Sequence, residues 1–537
     1  MNDAVVDQLA NVSLRFLQGG ALLLVFVFGL FLLYLLYLYL ADTTQQENTV
    51  RRNFPVIGRF RSLFEHLGVF FRQYFFAMDR EEMPFNRAQR GWVYLASENA
   101  DTTVAFGSTR SLGQPNEILF LNCPFPTLQE DAVAIKSITI GRDYAATPYT
   151  PASLFNISGM SFGALSKPAV QALSRGAAAA GIWLNTGEGG LSPYHLEGGC
   201  DLVFQIGTAK YGVRDDKGEL SSDRLRELAA IEQLRMFEIK LSQGAKPGKG
   251  GLLPGCKVNA EIARIRGIPE AQDSISPNRH PDIGSIDELL DSLEEIRRIT
   301  GKPVGFKTVV GSIAWFDELF QRVHQRGLAC APDFITVDSA DGGTGAAPQS
   351  LIDYVGLPLR ASLPRVVDKV SEYGLRERVR IVASGKLINP GDVAWALCVG
   401  ADFVNSARGF MFSLGCIQAL KCNRDTCPTG ITTHNPELQR GLVPSDKSQR
   451  VAHYARHVLR EVGVIAHACG VAEARQLRRH HAQLVDARGI PEPLESLYPS
   501  VVADPKYLAG ARSDLNGNGN DLIGTSHVGT RHERAAG

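Results

Sequence analysis

Eight short apolar runs separated by helix-like stretches occupy residues 153–407, and they constrain the fold of this chain more than any other feature. They are residues 154–158, 182–185, 202–205, 236–240, 304–307, 334–338, 379–383 and 402–406. Each reads as a buried strand of the parallel kind, because a strand covered on both faces has no reason to alternate apolar with polar residues. Helical patterns fall between them, as at 167–180, 286–299, 315–326, 363–373 and 391–399. Eight strands over about 250 residues, with helices interleaved, predict an α/β fold, a (β/α)8 TIM barrel. A doubly wound open sheet is the alternative. Polar strand ends spread evenly over all eight runs fit it less well.

Polar residues and glycines gather just after the strands. Gly159-Met160-Ser161-Phe162-Gly163 follows the first and Thr186-Gly187-Glu188-Gly189-Gly190 the second. Gln205, Lys240 and Lys307 end the third, fourth and fifth. Asp341-Gly342-Gly343-Thr344-Gly345 follows the sixth, Ser384-Gly385-Lys386 the seventh and Ala407-Arg408-Gly409 the eighth. Active sites of such barrels form at this C-terminal face, with phosphates after strands seven and eight. Backbone amides at Ser384-Gly385 and Ala407-Arg408, with a guanidinium beside them, suit a phosphate monoester such as that of FMN. Lys307 has two readings: a buried lysine paired to a carboxylate, or a cation that tunes a flavin from beside N1.

Past the last strand, Cys416, Cys422 and Cys427 form a C-x5-C-x4-C run followed by Pro428. Close thiolates in one loop are what an iron–sulfur cluster needs, and three ligands suit a [3Fe-4S] centre. Free thiols or a zinc site are the other readings, although no histidine follows Cys427 until His434. Nine cysteines in 537 residues make no secreted disulfide framework, and the gathering of three argues for a reducing compartment. With 56 basic and 56 acidic residues, no electrostatic pull toward nucleic acid is expected.

Residues 19–41 carry no charge and are long enough to cross a bilayer as one helix. A cleaved signal peptide would have a shorter apolar core behind positive charge, whereas this leader holds Asp3, Asp7 and only Arg15. Arg51, Arg52, Arg59 and Arg61 follow the span, so the remainder is expected in the cytoplasm, on an inner membrane crossed once. From 53 to 90, aromatics interleave with arginines, in a segment suited either to a membrane surface or to packing on the main domain. The expected divisions are a tail (1–18), a transmembrane helix (19–41), a juxtamembrane segment (42–109), the barrel (110–440), a basic helical segment (441–495) and a disordered tail (496–537).

The motifs Ile157-Ser158-Gly159-Met160-Ser161-Phe162-Gly163, Asn185-Thr186-Gly187-Glu188-Gly189-Gly190, Gln243-Gly244-Ala245-Lys246-Pro247-Gly248 and Asp341-Gly342-Gly343-Thr344-Gly345, with the cysteine run, resemble the FMN-binding synthase domain of glutamate synthase. The resemblance spans roughly residues 110–440, and the N-terminal region is similar to short membrane-attached members. It implies FMN beside a [3Fe-4S] cluster held by Cys416, Cys422 and Cys427. It places Glu188 and Lys246 on the substrate side and Lys307 at the reacting centre. Met160, Gln205, Ser384 and Arg408 fall on the flavin side, with Gly159, Ser161, Gly342, Gly343, Gly385 and Ala407 in the same loops.

The implied activity is reductive amination of 2-oxoglutarate, through 2-iminoglutarate, to L-glutamate. No amidotransferase domain precedes the barrel in this sequence, so ammonia would come from outside, a separate glutaminase subunit being one source. No nicotinamide-binding motif is present, so a ferredoxin or reductase would supply electrons. Lys249 and Leu252 depart from the family pattern, which usually has an acidic and a polar residue there. They keep open two other readings: an FMN and iron–sulfur electron-transfer subunit, or a synthase for another 2-oxo acid or amine.

Overall fold

The computed structural model describes residues 3–507, so most of the expected disordered tail, 508–537, lies outside the described residues. The chain divides between Ala88 and Gln89 into two compact units.

In the first unit, helix α1 (Asp3–Thr44) runs for 42 residues, well beyond the uncharged span at 19–41. By length and composition, its stretch Asp7–Thr44 is a candidate membrane span. The chain then reverses around a buried carboxylate. Asp42 accepts from Arg59 Nε at 2.9 Å, from Arg59 Nη2 at 2.8 Å and from the Val56 amide at 3.0 Å. Helix α2 (Gly58–Phe71) follows and continues into a π-helical turn, Arg72–Phe76.

The second unit is a closed parallel barrel. Its strands are β1 (Phe155–Ile157), β2 (Leu184–Asn185), β3 (Leu202–Ile206), β4 (Leu234–Lys240), β5 (Val304–Val309), β6 (Phe334–Asp338), β7 (Arg380–Ser384) and β8 (Phe403–Ser406). Each of the eight expected runs supplies one strand. They pair in chain order, and β8 closes on β1 with Val404 beside Phe155. Trp183, Val203, Met236, Phe334, Val382 and Phe403, at the strand starts, form one core cluster with Ile140 and Tyr149. That cluster floors the barrel, so anything bound must enter from the other end.

Helix α3 (Lys167–Ala180) starts at an N-cap, Ser166, whose side chain accepts from the Ala169 amide, and it ends at Gly181 in the left-handed region. Helix α4 (Pro444–Ala468) crosses α3 where Gly176 has no side chain; a Cβ there would lie 2.5 Å from Val451. The basic segment expected to be helical over 441–495 forms a long helix only to Ala468. Within it, Ala482–Val485 is a strand between Ile118–Phe120 and Pro491–Pro493. Basic side chains concealed the buried ends of that strand, Ala482 and Val485. The barrel unit also begins at Gln89, ahead of residue 110. Val93 and Ala96 are fully buried in it, and the Tyr94 hydroxyl donates to the Cys416 carbonyl at 2.6 Å.

Candidate active site

At the C-terminal mouth, the strand ends meet in one pocket. Glu188, Lys246 and Lys307 line it, as do Gly159, Met160, Ser161, Gln205, Gly343, Ser384, Gly385, Ala407, Arg408 and Cys422. Gly342, Cys416 and Cys427, also expected at the site, do not line it. Gly342 instead lies against backbone, since a Cβ on it would sit 2.8 Å from the Ser339 carbonyl.

One side of the pocket is preorganised by buried carboxylates. Lys307 Nζ sits 3.0 Å from Asp338 Oδ2, which makes the paired-lysine reading true without removing Lys307 from the pocket wall. Burial opposes its charge, but Asp338 and Glu238 outweigh this and hold its pKa above the ordinary lysine value. Asp338 also accepts from Ser384 Oγ at 3.0 Å and from the Gly244 amide at 3.0 Å. Glu238 accepts from Gln205 at 2.7 Å, Asn185 at 2.8 Å and Thr336 at 2.6 Å, which fixes the Gln205 amide. Glu238 was not foreseen; its signal was a lone carboxylate inside the apolar run 236–240. Arg408 donates to the Thr344 carbonyl at 2.7 Å, and a Cβ on Gly343 would lie 2.5 Å from Arg408 Nε. A bare backbone there keeps the guanidinium at the mouth, so these residues fit the phosphate end of a flavin mononucleotide.

The other side is cationic. Glu188 Oε2 lies 3.0 Å from Lys240 Nζ. Burial alone would raise its pKa, but Lys240 and Lys246 overcome this and hold the carboxyl below its ordinary range. A Cβ on Gly207 would lie 2.6 Å from Glu188 Cβ, so the carboxylate depends on a glycine to reach its place. Lys246 is 5% exposed, and burial lowers its pKa to about 8, with Glu188 offsetting part of the shift. Arg266, also 5% exposed, donates to Ser274 Oγ at 3.2 Å and to the Phe162 carbonyl at 3.3 Å, while its Nε has no partner. Among the described residues neither Lys246 nor Arg266 forms an ion pair with a carboxylate. Arg266 escaped the sequence reading because it ends a short helix, Ala260–Arg266, that lies between strands four and five rather than at a strand end. Leu252 lines this side, whereas Lys249 is exposed and does not.

The thiol loop folds back against the mouth. Lys257, 2% exposed, donates to the carbonyls of Thr432 at 2.8 Å, Ala164 at 3.0 Å and Cys422 at 3.3 Å. This lysine, also unforeseen, ties the loop after β1 to the cysteine loop. Gln418, Leu420 and Asp425 all have positive φ (58°, 55° and 56°), a conformation that persists only where surroundings enforce it and that gathers at ligand clamps. Burial raises the Cys416 thiol pKa, with a smaller contribution from Cys422 and Cys427 nearby. Among the described residues, no three His, Cys, Asp or Glu side chains form a group that could hold a metal ion. A cluster spreads its thiolates over several irons, so ligand number and chemistry still fit one.

The conserved region of glutamate synthase matches residues 129–472. A glutamate synthase large subunit-like protein of Bacillus subtilis is 38% identical over 483 residues, covering 83% of this chain and 91% of its own. A second protein of that description, from Rhizobium meliloti, is 32% identical and covers 68% of this chain and 83% of its own. The archaeal glutamate synthase (NADPH) of Methanocaldococcus jannaschii is 34% identical over 336 residues, and the match spans 61% of each chain. Agreement of this extent, over the segment that builds the barrel and its mouth, makes the chain a member of the glutamate synthase family and a glutamate synthase-like oxidoreductase.

Proposed function

We propose that this chain is a membrane-anchored FMN and iron–sulfur oxidoreductase that aminates 2-oxoglutarate reductively, through 2-iminoglutarate, to L-glutamate. Ammonia would come from outside the chain. The observation that carries this reading is the pair of buried cations without carboxylate partners, Lys246 and Arg266, facing one pocket with an ionised Glu188. Glu188 is the one carboxylate set against Lys240, Lys246 and Arg266, so positive charge is left in excess on this side, and buried charge in excess is costly and calls for an anionic ligand. Two cations suit the two carboxylates of a dicarboxylic acid. Glu188 disfavours a third carboxylate and favours a protonated nitrogen, either ammonium or the iminium of the condensed substrate.

FMN would rest on Ser384, Gly385, Arg408 and Gln205, and when bound it supplies the hydride. Lys246 and Arg266 hold the acid, Glu188 orients the nitrogen, and the floored barrel excludes water from below. Cys416, Cys422 and Cys427 would hold the cluster. Cys422→Ser is expected to lower bound iron and sulfide with flavin retained, as read by iron, sulfide and flavin analysis of the purified protein.

Lys246 sets a pH dependence. Below about 8 it carries a proton and binds a carboxylate; above that value the charge is lost. KM for the oxo acid is therefore expected to rise as pH passes 8, and Lys246→Met should remove that inflection while raising KM at pH 7. Leu252 favours a second reading, amination of a less polar oxo acid. Flavin reoxidation rates with 2-oxoglutarate and 2-oxobutyrate, in reduced protein with ammonia, separate the two. Faster reoxidation by 2-oxoglutarate supports the dicarboxylate reading, and faster reoxidation by 2-oxobutyrate replaces it.

A further inference from the structure

Helix α2 and the turn after it carry an apolar face that the chain leaves open. Phe60, Leu63, Phe64, Leu67, Phe70, Phe71 and Tyr74 recur at spacings of three and four, which sets them on one side of the helix. Arg61, Ser62, Glu65, His66 and Arg72 take the other. The face is exposed: Phe60 at 53%, Phe64 at 66% and Phe70 at 67%. Neighbouring rings of this face touch along the helix, as Phe60 does Phe64 and Phe70 does Tyr74. A contiguous patch of this kind on a single chain marks a binding surface.

We propose that this face lies in the headgroup–acyl boundary of a bilayer containing anionic lipid, beside the point where α1 leaves the membrane. The inference rests on α1 spanning that bilayer. Continuity supports it, because the Asp42–Arg59 pair pins the start of α2 to the end of α1, whose own apolar side chains are open from Leu22 to Tyr34 and again at Leu36, Tyr37, Tyr39 and Leu40. Charge supports it as well. Residues 51–76 hold Arg51, Arg52, Arg59, Arg61 and Arg72 against a single acidic residue, Glu65. A second copy would bring like charge against like charge, whereas an anionic surface attracts this segment.

The test uses the full chain with its cofactors, in nanodiscs of phosphatidylethanolamine and phosphatidylglycerol. A photo-reactive p-benzoylphenylalanine replaces Phe64, Phe71 or, as the polar-face control, Glu65. After irradiation, the intact mass of the protein identifies what each position touched. Positions 64 and 71 are expected to gain one phospholipid, with loss of that adduct at 65 and a lower yield when phosphatidylcholine replaces phosphatidylglycerol. A cross-linked dimer, a cross-link within the same chain, or equal lipid addition at 65 would overturn the placement. A yield indifferent to phosphatidylglycerol would overturn its electrostatic part. Failure of the protein to enter nanodiscs would instead overturn the anchor, and this placement with it.

Discussion

Glu188→Gln is expected to lower kcat by on the order of 10²–10⁴ while flavin content stays unchanged. The substitution keeps the shape of the side chain and removes its charge. Glu188 sits between Lys240, at 3.0 Å, and a pocket wall that also carries Lys246 and Arg266. Without the carboxylate, no other acidic side chain among the described residues of that wall balances these cations, and a protonated nitrogen loses the anion it would face. Lys240 retains Gln243 as a partner, so the loop should hold its place. Steady-state kinetics beside flavin absorbance in the same preparation checks this. A variant with normal kcat would remove Glu188 from the reaction.

Asp333→Ala should give the largest loss of stability. Asp333 is fully buried at the foot of β6, where it accepts from Arg297 Nε at 2.8 Å, Arg378 Nη1 at 2.7 Å and the Val304 amide at 2.7 Å. Burial lowers the Arg378 pKa, and Asp333 is the anion that offsets it. Removing one member of a buried ion pair costs about 3–5 kcal/mol, because the other charge stays desolvated and alone. Two guanidiniums are stranded here, so a value toward the upper end is expected. Against a total stability of about 5–15 kcal/mol for a native protein, this should move the urea midpoint far down or abolish expression. The effect should be absent from the pocket itself, which lies at the opposite end of the strands.

The barrel was legible because buried parallel strands write themselves as unbroken apolar runs. Residues 334–338 match β6, and 167–180 match α3. The strand ends announced the mouth as well, since polar residues and glycines at eight strand ends have few other reasons to recur. Legibility failed where contact, not period, decides. Glu238, Lys257 and Arg266 reach the site through packing partners far away in sequence, with Lys257 bonding across 165 residues to Cys422. Gly342 looked equal to Gly343, yet one lies against backbone and the other faces Arg408. Ala482–Val485 pairs with Pro491–Pro493 just after it and with Ile118–Phe120, some 360 residues earlier, and no local pattern carries the second pairing.

The most direct measurement uses the full protein, reduced anaerobically with dithionite freed of excess reductant, then mixed with 2-oxoglutarate and 15N-ammonium. Reductive amination at this pocket predicts return of oxidised-flavin absorbance and formation of 15N-labelled L-glutamate in proportion to flavin. Flavin that stays reduced with both substrates, yet is promptly oxidised by ferricyanide, would contradict it and leave an electron-transfer protein in its place.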